Sequence, residues 1–175
     1  VRQQLASQPT FNSNRMVSIH NGVDAERFRP DPDTRQAMRT HFGFQPDHVV
    51  CGMVARLVAA KGHAFLLQAL HALKARYPQL RVLALGQGPL EDRLRTQVED
   101  LGLTEQVVFA GYRDDMAACV QAIDIGVQPS IDCDTSSFSL KEQMAAAIPV
   151  IASDYGGLPE IVTDGQEGFV VAAGQ

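Results

Sequence analysis

Two cations five residues apart are the first side chains in this sequence that could do chemistry. Arg56 and Lys61 lie in a loop between an apolar run ending near Ala55 and a helical pattern beginning near Gly62. A guanidinium and an ammonium beside a helix N-terminus can hold a diphosphate, because the helix dipole and the unpaired N–H groups add to their charge. The alternative is a solvated loop with two ordinary surface cations. We expect both side chains to face solvent or a ligand.

Two acids and a helix start form the second candidate, in the segment from Pro129 to Pro149. A helix is predicted to begin around Ser136–Phe138. Glu142 then lies one turn inside it, where a carboxylate can accept hydrogen bonds from ligand hydroxyls such as a ribose diol. Asp134 lies eight residues before Glu142, in the preceding loop. The alternative makes Asp134 the helix N-cap and Glu142 an exposed helical acid.

No metal site is predicted. The run Asp132–Asp134 provides two carboxylates and a thiol without a nearby histidine, which is a poor ligand set for any single metal. The turn Gly86–Pro89 has the start of a dinucleotide fingerprint but lacks its third glycine, so we assign it no chemistry. His63 and His71, eight residues apart in one predicted helix, are interpreted as a solvated face.

These candidates need a scaffold, and short apolar runs predict one. The runs are 49–54, 81–85, 107–110, 125–127, 150–152 and 169–171. They alternate with helical patterns, which indicates βα units, and they do not alternate polar with apolar residues, as expected for strands covered on both faces. The sequence therefore predicts an α/β fold with a doubly wound, Rossmann-like parallel sheet of about six strands. In such a sheet, ligands bind at the carboxyl ends of the strands.

Four helices are predicted between the runs. Apolar residues recur at helical spacing in 66–77, 90–101, 116–123 and 140–147. Pro89 is expected at the first position of the second helix, and Gly102 at its C-terminal cap. Gly156 and Gly157 lie in a loop that opens a short helix, where they allow a close backbone approach.

Composition excludes several classes of protein. The chain has 175 residues, of which 45% are hydrophobic and 20% charged, so it is not a disordered chain. The longest apolar run, Met144–Ala152, is too short to cross a bilayer, and no signal peptide is visible. Three cysteines without paired spacing indicate reduced thiols, so a cytoplasmic location is expected. A pI near 5.4 and the absence of Trp argue against a nucleic-acid partner.

Both ends of the chain are expected to belong to a longer protein. Residues 1–16 do not begin with Met, are mostly polar and are interpreted as a linker from a missing N-terminal lobe. Residues 17–175 then form one domain. The chain stops shortly after its last predicted strand, where another helix normally covers the sheet, so a C-terminal helix is expected to be truncated.

Several short motifs in this order resemble those of one family. They are His20–Asp24 with Phe28 and Pro30, Gly52…Arg56–Leu57…Lys61–Gly62, Gly86–Pro89, Phe109–Tyr112, Pro129–Ser130…Asp134…Glu142–Ala145…Pro149–Val150, and Gly156–Val162. Their order and spacing, over about residues 17–171, resemble the donor-binding, C-terminal lobe of the retaining GT-B glycosyltransferases of family 4. Each motif alone is weak, whereas six in sequence order form a specific signal.

The resemblance implies a role for each site residue. Arg56 and Lys61 match the pair that grips the donor diphosphate, and Asp134 takes the position of an acid that approaches the donor sugar. Glu142 matches the acid that binds the nucleotide ribose. The matched backbone that receives phosphate is that of Ser137, Phe138, Ser139 and Leu140. The matched main chain near the nucleobase is that of Gly111 and Tyr112.

The resemblance also implies a reaction. The donor is a nucleotide diphosphate sugar, transfer occurs with retention, no metal or other cofactor takes part, and the pathway is polysaccharide or glycolipid biosynthesis. The acceptor site and any peripheral membrane contact are expected in the missing N-terminal lobe, so this lobe alone should bind donor and catalyse little. A non-catalytic nucleotide-sugar-binding module and a nucleotide-sugar epimerase on the same scaffold are the alternatives. The cation pair with the D-x7-E spacing argues against the epimerase.

The sequence departs from the family pattern in three places. Asp134 is one methylene shorter than the usual Glu, which is expected to affect which sugar is transferred. Residues 135–139 replace a glycine-richer run with hydroxyl side chains that could also bond phosphate. Ala147 replaces a common Gly, and we expect it within the helix and at no cost.

Overall fold

The computed structural model describes residues 17, 19 and 21–175. The expected linker, residues 1–16, and His20 lie outside the described residues. Six strands form one sheet: β1 (Val49–Val54), β2 (Leu80–Leu85), β3 (Val107–Gly111), β4 (Ile125–Gln128), β5 (Val150–Ser153) and β6 (Gly168–Val171). All neighbouring strands are parallel, in the order β3-β2-β1-β4-β5-β6. The predicted doubly wound α/β fold is confirmed.

The strand order reverses between β1 and β4. In open parallel sheets of this kind, the crevice outside the carboxyl ends of the two strands at the reversal is where ligands bind. The loop after β1 is residues 55–62, here called the cation loop. The loop after β4 is residues 129–137, here called the acid loop. Both predicted candidate segments therefore flank the crevice.

Helices cover both faces of the sheet. They are α1 (Pro32–His41), α2 (His63–Leu73), α3 (Glu91–Asp100), α4 (Met116–Cys119) and α5 (Phe138–Ala145), with short 3-10 turns at Ala59–Lys61, Val120–Ala122 and Leu158–Glu160. Leu83 and Leu85 of β2 pack in one cluster with Val120, whereas Val82 packs on the other face with Leu94 of α3. Apolar runs are needed in the inner strands because these are covered on both faces, whereas β6, at the edge of the sheet, exposes Phe169 and Val171.

Two predicted helix boundaries shift. Helix α2 ends at Leu73 and does not continue to Tyr77, and α3 begins at Glu91, so that Pro89 lies in the turn before it. Gly102 adopts the left-handed conformation, with φ 62°, just after α3, as its predicted capping role requires.

Helix α1 has no counterpart in the sequence prediction, although it carries two ordinary start signals. Asp31 accepts hydrogen bonds from the N–H groups two and three residues later at 3.1 Å, and Pro32 lies in the first turn. The helix contains only Ala37 and Met38 as apolar residues besides its proline. An apolar periodicity could not reveal it.

Ion pairs hold α1 against the sheet. Asp124, just before β4, accepts hydrogen bonds from Arg35, from Arg39 at 2.9 Å and from the N–H of Val50 at 2.7 Å. Burial alone would raise the pKa of the Asp124 carboxyl, but these donors outweigh it and the pKa lies below its usual value. The ionised carboxylate therefore stabilises the folded state.

Asp124→Asn should lower the free energy of unfolding at pH 7 by about 1–2 kcal/mol, because an amide oxygen replaces a carboxylate that faces two guanidinium groups. The pKa of Asp124 is lower in the folded state than in the unfolded state, where it is about 4. The stabilisation by Asp124 is therefore complete above the unfolded pKa and is lost as the pH falls through the folded pKa. Urea unfolding of the wild type and of Asp124→Asn should show a difference in the free energy of unfolding that becomes smaller at acid pH. A gap independent of pH would contradict this role.

Ala147 lies after α5 and not within it. The helix ends at Ala145, and Ala147 adopts the left-handed conformation with φ 58°. A side chain in this conformation costs about 1–2 kcal/mol, which is why glycine is common at this place after a helix. The expectation that Ala147 lies in the helix at no cost was wrong.

Ala147→Gly should therefore raise the free energy of unfolding by about 0.5–1 kcal/mol, since the relief of strain exceeds the extra chain entropy of glycine in the unfolded state. Ala147 is exposed, so no packing is lost. Ala145→Gly, at the last helical position, is the control: no left-handed strain is relieved there, so glycine should lower the free energy of unfolding, by up to about 1 kcal/mol. Chemical unfolding measures both, and a destabilised Ala147→Gly variant would contradict the strain.

Candidate functional site

The cation loop and the acid loop pack against each other. The N–H groups of Ile131 and Asp132 donate to the carbonyl of Ala60, at 2.9 and 3.2 Å. Gly62 has φ 79°, and a side chain there would clash with the carbonyl of Pro129. Glycine is needed for this close approach. The two loops thus form one continuous wall of the crevice.

Asp134 and Lys61 form an ion pair that joins the two loops. The Lys61 Nζ atom lies 2.9 Å from Asp134 Oδ2, and the same oxygen accepts hydrogen bonds from Gln128 Nε2 at 3.0 Å and from Ser130 Oγ at 2.7 Å. The Asp134 side chain is only 3% exposed, against 22% for Lys61. A carboxylate buried so deeply needs donors of this kind to replace the hydrogen bonds that it has lost to water.

This arrangement corrects one expectation and rules out one alternative. Lys61 does not simply face solvent or a ligand, because it is paired with Asp134. Asp134 does not cap α5, because the N-cap is Ser137. An ammonium has three N–H donors and uses one on Asp134, so Lys61 can hold this carboxylate and a phosphate oxygen at the same time.

Arg56 lies exposed at the start of the cation loop, as predicted. The turn Gly86–Pro89 supports this part of the loop: the N–H of Leu57 donates to the carbonyl of Gln87 at 3.1 Å. A side chain at Gly88 would clash with the Leu57 backbone. The glycines of this turn serve backbone packing.

Helix α5 begins at the edge of the crevice. Its N-cap, Ser137, accepts a hydrogen bond at Oγ from the N–H of Leu140 at 3.3 Å, and this oxygen lies 3.1 Å from Ser139 Oγ. The Leu140 side chain is fully buried, whereas Phe138 is 49% exposed. Helix geometry leaves the first N–H groups without intrahelical acceptors. Phe138 and Ser139 therefore offer N–H donors to an anion, and Leu140 does so less because its N–H is capped.

Glu142 lies half-buried on the second turn of α5 and is not the fully exposed acid of the alternative interpretation. Burial raises the pKa of its carboxyl, and the positive charge of Arg27 partly opposes this shift. The neighbouring Lys141 donates to the carbonyl of Asn21 at 2.8 Å. This contact ties α5 to the segment that precedes α1. A half-buried carboxylate suits hydrogen bonds from neutral hydroxyl groups, which need no counter-charge.

A loop after β5 holds the acid loop in place. The N–H of Gly157 donates to the carbonyl of Asp134 at 2.9 Å, and the Tyr155 hydroxyl donates to Asp132 Oδ1 at 3.0 Å. Side chains at Gly156 or Gly157 would clash with carbonyls of the acid loop. The close backbone approach predicted for these glycines is confirmed.

Gly111 and Tyr112 lie at the same edge of the sheet but farther from the reversal point. Gly111 is the last residue of β3, which β2 separates from β1, and Tyr112 follows it. Gly111 has φ 67°, and its carbonyl accepts a hydrogen bond from the N–H of Gly86 at 2.7 Å. Tyr112 is 71% exposed. Tyr112 is therefore open to solvent at this edge of the sheet, with β2 between it and the crevice.

Three buried polar residues around Asp134 were not predicted. They are Gln128, Ser130 and Ser153, and the hydroxyl of Ser153 donates to the carbonyl of Ser130 at 2.5 Å. The one usable signal was Gln128, a polar residue at the end of an apolar strand run. Buried polar side chains need partners, so such a residue indicates a polar cluster at the end of its strand.

His63 was interpreted as part of a solvated face, and this was wrong. Its side chain is buried, and within the described part of the chain neither ring nitrogen has a hydrogen-bond partner. Burial, with the nearby charge of Lys61, lowers the pKa of His63 to about 4, so the ring is neutral at pH 7. His71 is exposed, with Nδ1 2.8 Å from the carbonyl of Leu101.

A family model described as Glycosyl transferases group 1 matches residues 34–175, which include both loops and the whole sheet. The chain belongs to this family. The crevice built by Lys61, Asp134 and α5 thus lies within the group 1 glycosyltransferase domain.

Two curated relatives show how much of a group 1 glycosyltransferase this chain represents. The GDP-mannose-dependent alpha-(1-6)-phosphatidylinositol monomannoside mannosyltransferase of Mycolicibacterium smegmatis is 35% identical over 158 residues, which is 86% of this chain and 41% of the relative. The D-inositol 3-phosphate glycosyltransferase of Mycobacterium marinum is 34% identical over 180 residues, 97% of this chain and 36% of the relative. The chain spans less than half the length of either.

Solved structures share the fold. HepE from Anabaena, in complex with UDP and glucose, matches with a TM-score of 0.87 and 27% identity over 95% of this chain and 45% of that chain. The C-terminal domain of a glycosyl transferase group 1 family protein (LpcC) from Francisella tularensis matches with a TM-score of 0.76 and 25% identity, over 88% of this chain and 82% of that one. The six-stranded parallel sheet is the Rossmann-like fold of GT-B glycosyltransferases.

Metal ligands, membrane spans and thiols can also be assessed for the part of the chain that the structure describes. No group of three or more His, Cys, Asp and Glu side chains there is placed to hold a metal ion. No helix among residues 21–175 is both long and apolar enough to cross a bilayer. The three cysteines are free, and burial raises the pKa of Cys51 and of Cys119 to about 11, so these two thiols are not nucleophiles at neutral pH.

Proposed function

We propose that this chain is the donor-binding, C-terminal lobe of a retaining, family 4 glycosyltransferase whose donor is a nucleotide diphosphate sugar. The observation that carries the proposal is the meeting of Lys61, Asp134 and the N-terminus of α5 at the reversal of strand order. Three similar proteins support it: HepE binds UDP and glucose, the mannosyltransferase depends on GDP-mannose, and the matching LpcC fragment is a C-terminal domain.

The proposed reaction poses an electrostatic problem. When the bond between the anomeric carbon and the diphosphate breaks, the sugar becomes oxocarbenium-like and the diphosphate gains negative charge. Arg56, Lys61 and the N–H groups of Phe138 and Ser139 would stabilise the departing diphosphate, so that no metal is required. Glu142 would accept hydrogen bonds from the ribose diol.

The sugar and the base need further contacts. Asp134 would accept a hydrogen bond from a hydroxyl of the donor sugar through Oδ1, because its recorded hydrogen bonds fall on Oδ2. The main chain at Gly111 and Tyr112 would contact the nucleobase. We assign the acceptor site to an N-terminal lobe, so the 175-residue chain should bind donor and catalyse little by itself.

A thermal-shift panel of UDP-, GDP- and ADP-sugars tests this function, with UDP-glucose and GDP-mannose first. A ligand present at 100 times its Kd stabilises the native state by about 2.7 kcal/mol, which raises the Tm of a domain this size by roughly 5–10 °C. Millimolar EDTA should leave the shift unchanged, because side-chain cations and a helix dipole replace the metal. No shift with any sugar nucleotide would refute donor binding, and a strict requirement for Mg²⁺ or Mn²⁺ would refute the metal-free mechanism.

A further inference from the structure

Gln128 is a buried amide at the last position of β4, immediately before the acid loop. Its side chain is 1% exposed, and Nε2 donates to Ser130 Oγ at 2.8 Å and to Asp134 Oδ2 at 3.0 Å. Burying a primary amide is costly unless its hydrogen bonds are made. Oε1 has no hydrogen-bond partner among the described residues, so part of this cost is not recovered. The two bonds from Nε2 therefore contribute more than packing, because an apolar side chain would fill the same space at a lower cost.

The contacts around Asp134 fix the direction of its carboxylate. The recorded donors to this group, from Lys61, Gln128 and Ser130, all meet Oδ2. With Oδ2 held from three sides, the carboxylate cannot rotate freely about its own axis. Oδ1 is consequently the oxygen that Asp134 can offer to another group.

The two neutral donors matter most when a ligand is bound. The Lys61 side chain is 22% exposed, so a diphosphate in the crevice can bind the same ammonium and share its positive charge with Asp134. If the ion pair weakens, the buried carboxylate still accepts hydrogen bonds from Gln128 and Ser130. The direction of the carboxylate is then kept, although part of its charge compensation has moved to the ligand.

We propose that Gln128 is a positioning residue that aims Asp134 Oδ1 at a hydroxyl of the donor sugar. It therefore contributes to recognition of the sugar and not of the nucleotide. This inference rests on the proposed function, because it requires a sugar nucleotide in the crevice. Asp134 is a short acid on a loop, and a fixed carboxylate direction is what allows a short side chain to select one hydroxyl.

Isothermal titration of the 175-residue chain with a nucleoside diphosphate and its sugar conjugate tests the proposal. UDP with UDP-glucose and GDP with GDP-mannose are the probes, and the measured quantity is the affinity ratio within each pair. Gln128→Leu should lower the affinity of the sugar conjugate relative to that of the nucleoside diphosphate about tenfold, which is the effect of losing a hydrogen bond to a charged group. The affinity for the nucleoside diphosphate itself should change by less than about twofold. Gln128→Met, closer in length, serves if the leucine variant does not fold.

A double-variant cycle separates positioning from simple packing. If Gln128 acts through Asp134, then Gln128→Leu should have no further effect on the sugar advantage in an Asp134→Ala background. Gln121→Leu is the matched control: Gln121 is also a buried amide, but its bonds go to the N–H of Asp31 and the carbonyl of Arg29. This variant should lose stability and keep the wild-type affinity ratio.

Two outcomes would overturn the inference. One is an unchanged affinity ratio in Gln128→Leu, whether neither ligand or both ligands lose affinity, and the other is additive effects in the double variant. If the wild-type chain binds a nucleoside diphosphate and the variants give either result, only the role of Gln128 is refuted. A wild-type chain that binds none of the four probes refutes the proposed function, and the role of Gln128 falls with it.

Discussion

Lys61→Ala and Arg56→Ala should each lower the turnover of the complete enzyme that we propose by about 10²–10³. This is the effect of losing one contact to a developing negative charge, roughly 2.7–4 kcal/mol. Both cations lie in the loop that leaves β1 at the reversal of strand order. Single-turnover rates at saturating donor measure the loss. Arg93→Ala, which removes an exposed cation from α3, is the control and should keep wild-type rates.

The two variants should differ in stability. Arg56 is exposed, so Arg56→Ala should change the free energy of unfolding by less than about 0.5 kcal/mol. Lys61→Ala leaves the buried Asp134 carboxylate with only neutral donors, Gln128 and Ser130, and should cost about 1–3 kcal/mol. Wild-type turnover in the double variant would end the assignment of both cations, and equal stability of the two single variants would contradict the ion pair.

The sequence predicts the sheet well because the signal is local and strong. A parallel strand that is buried on both faces is expected to be a nearly continuous apolar run, as Val49–Val54 and Val82–Leu85 are. The segments between such runs are then helices and loops. The rule that ligands bind at the carboxyl ends of parallel strands then places the cation loop and the acid loop at one edge. No knowledge of side-chain contacts is needed for this step.

The contacts inside the site could not be predicted in the same way. Lys61 and Asp134 are 73 residues apart in the sequence, and periodicity does not tell which loops approach each other. The same holds for Asp124 with Arg35, and for His63, whose burial depends on how α2 packs. Ala147 could not be placed for a different reason. Its left-handed backbone depends on the residue at which α5 ends, and the sequence pattern gives a helix end only to within one or two residues.

Glu142→Ala should weaken nucleoside diphosphate and intact donor alike. If Glu142 holds the ribose diol, both ligands lose the same hydrogen bonds to a charged group, which are worth about 1.5–3 kcal/mol, or about 10- to 150-fold in affinity. Isothermal titration with the two ligands measures the losses. Glu99→Ala, an exposed helical acid on α3, should change neither affinity. A loss confined to the sugar conjugate would move Glu142 away from the ribose.

Asp134→Ala should behave differently, because Asp134 is proposed to face the sugar. Free nucleoside diphosphate should bind nearly as well as to wild type, since removal of the acid leaves the ammonium of Lys61 available to phosphate. The intact donor should bind or react less well. Asp134→Asn keeps the volume and one acceptor oxygen, so it separates the loss of charge from the collapse of a buried cluster that includes Gln128 and Ser130. Equal losses for the two ligands in both variants would mean that Asp134 only holds the two loops together, and the sugar contact would have to come from elsewhere in the crevice.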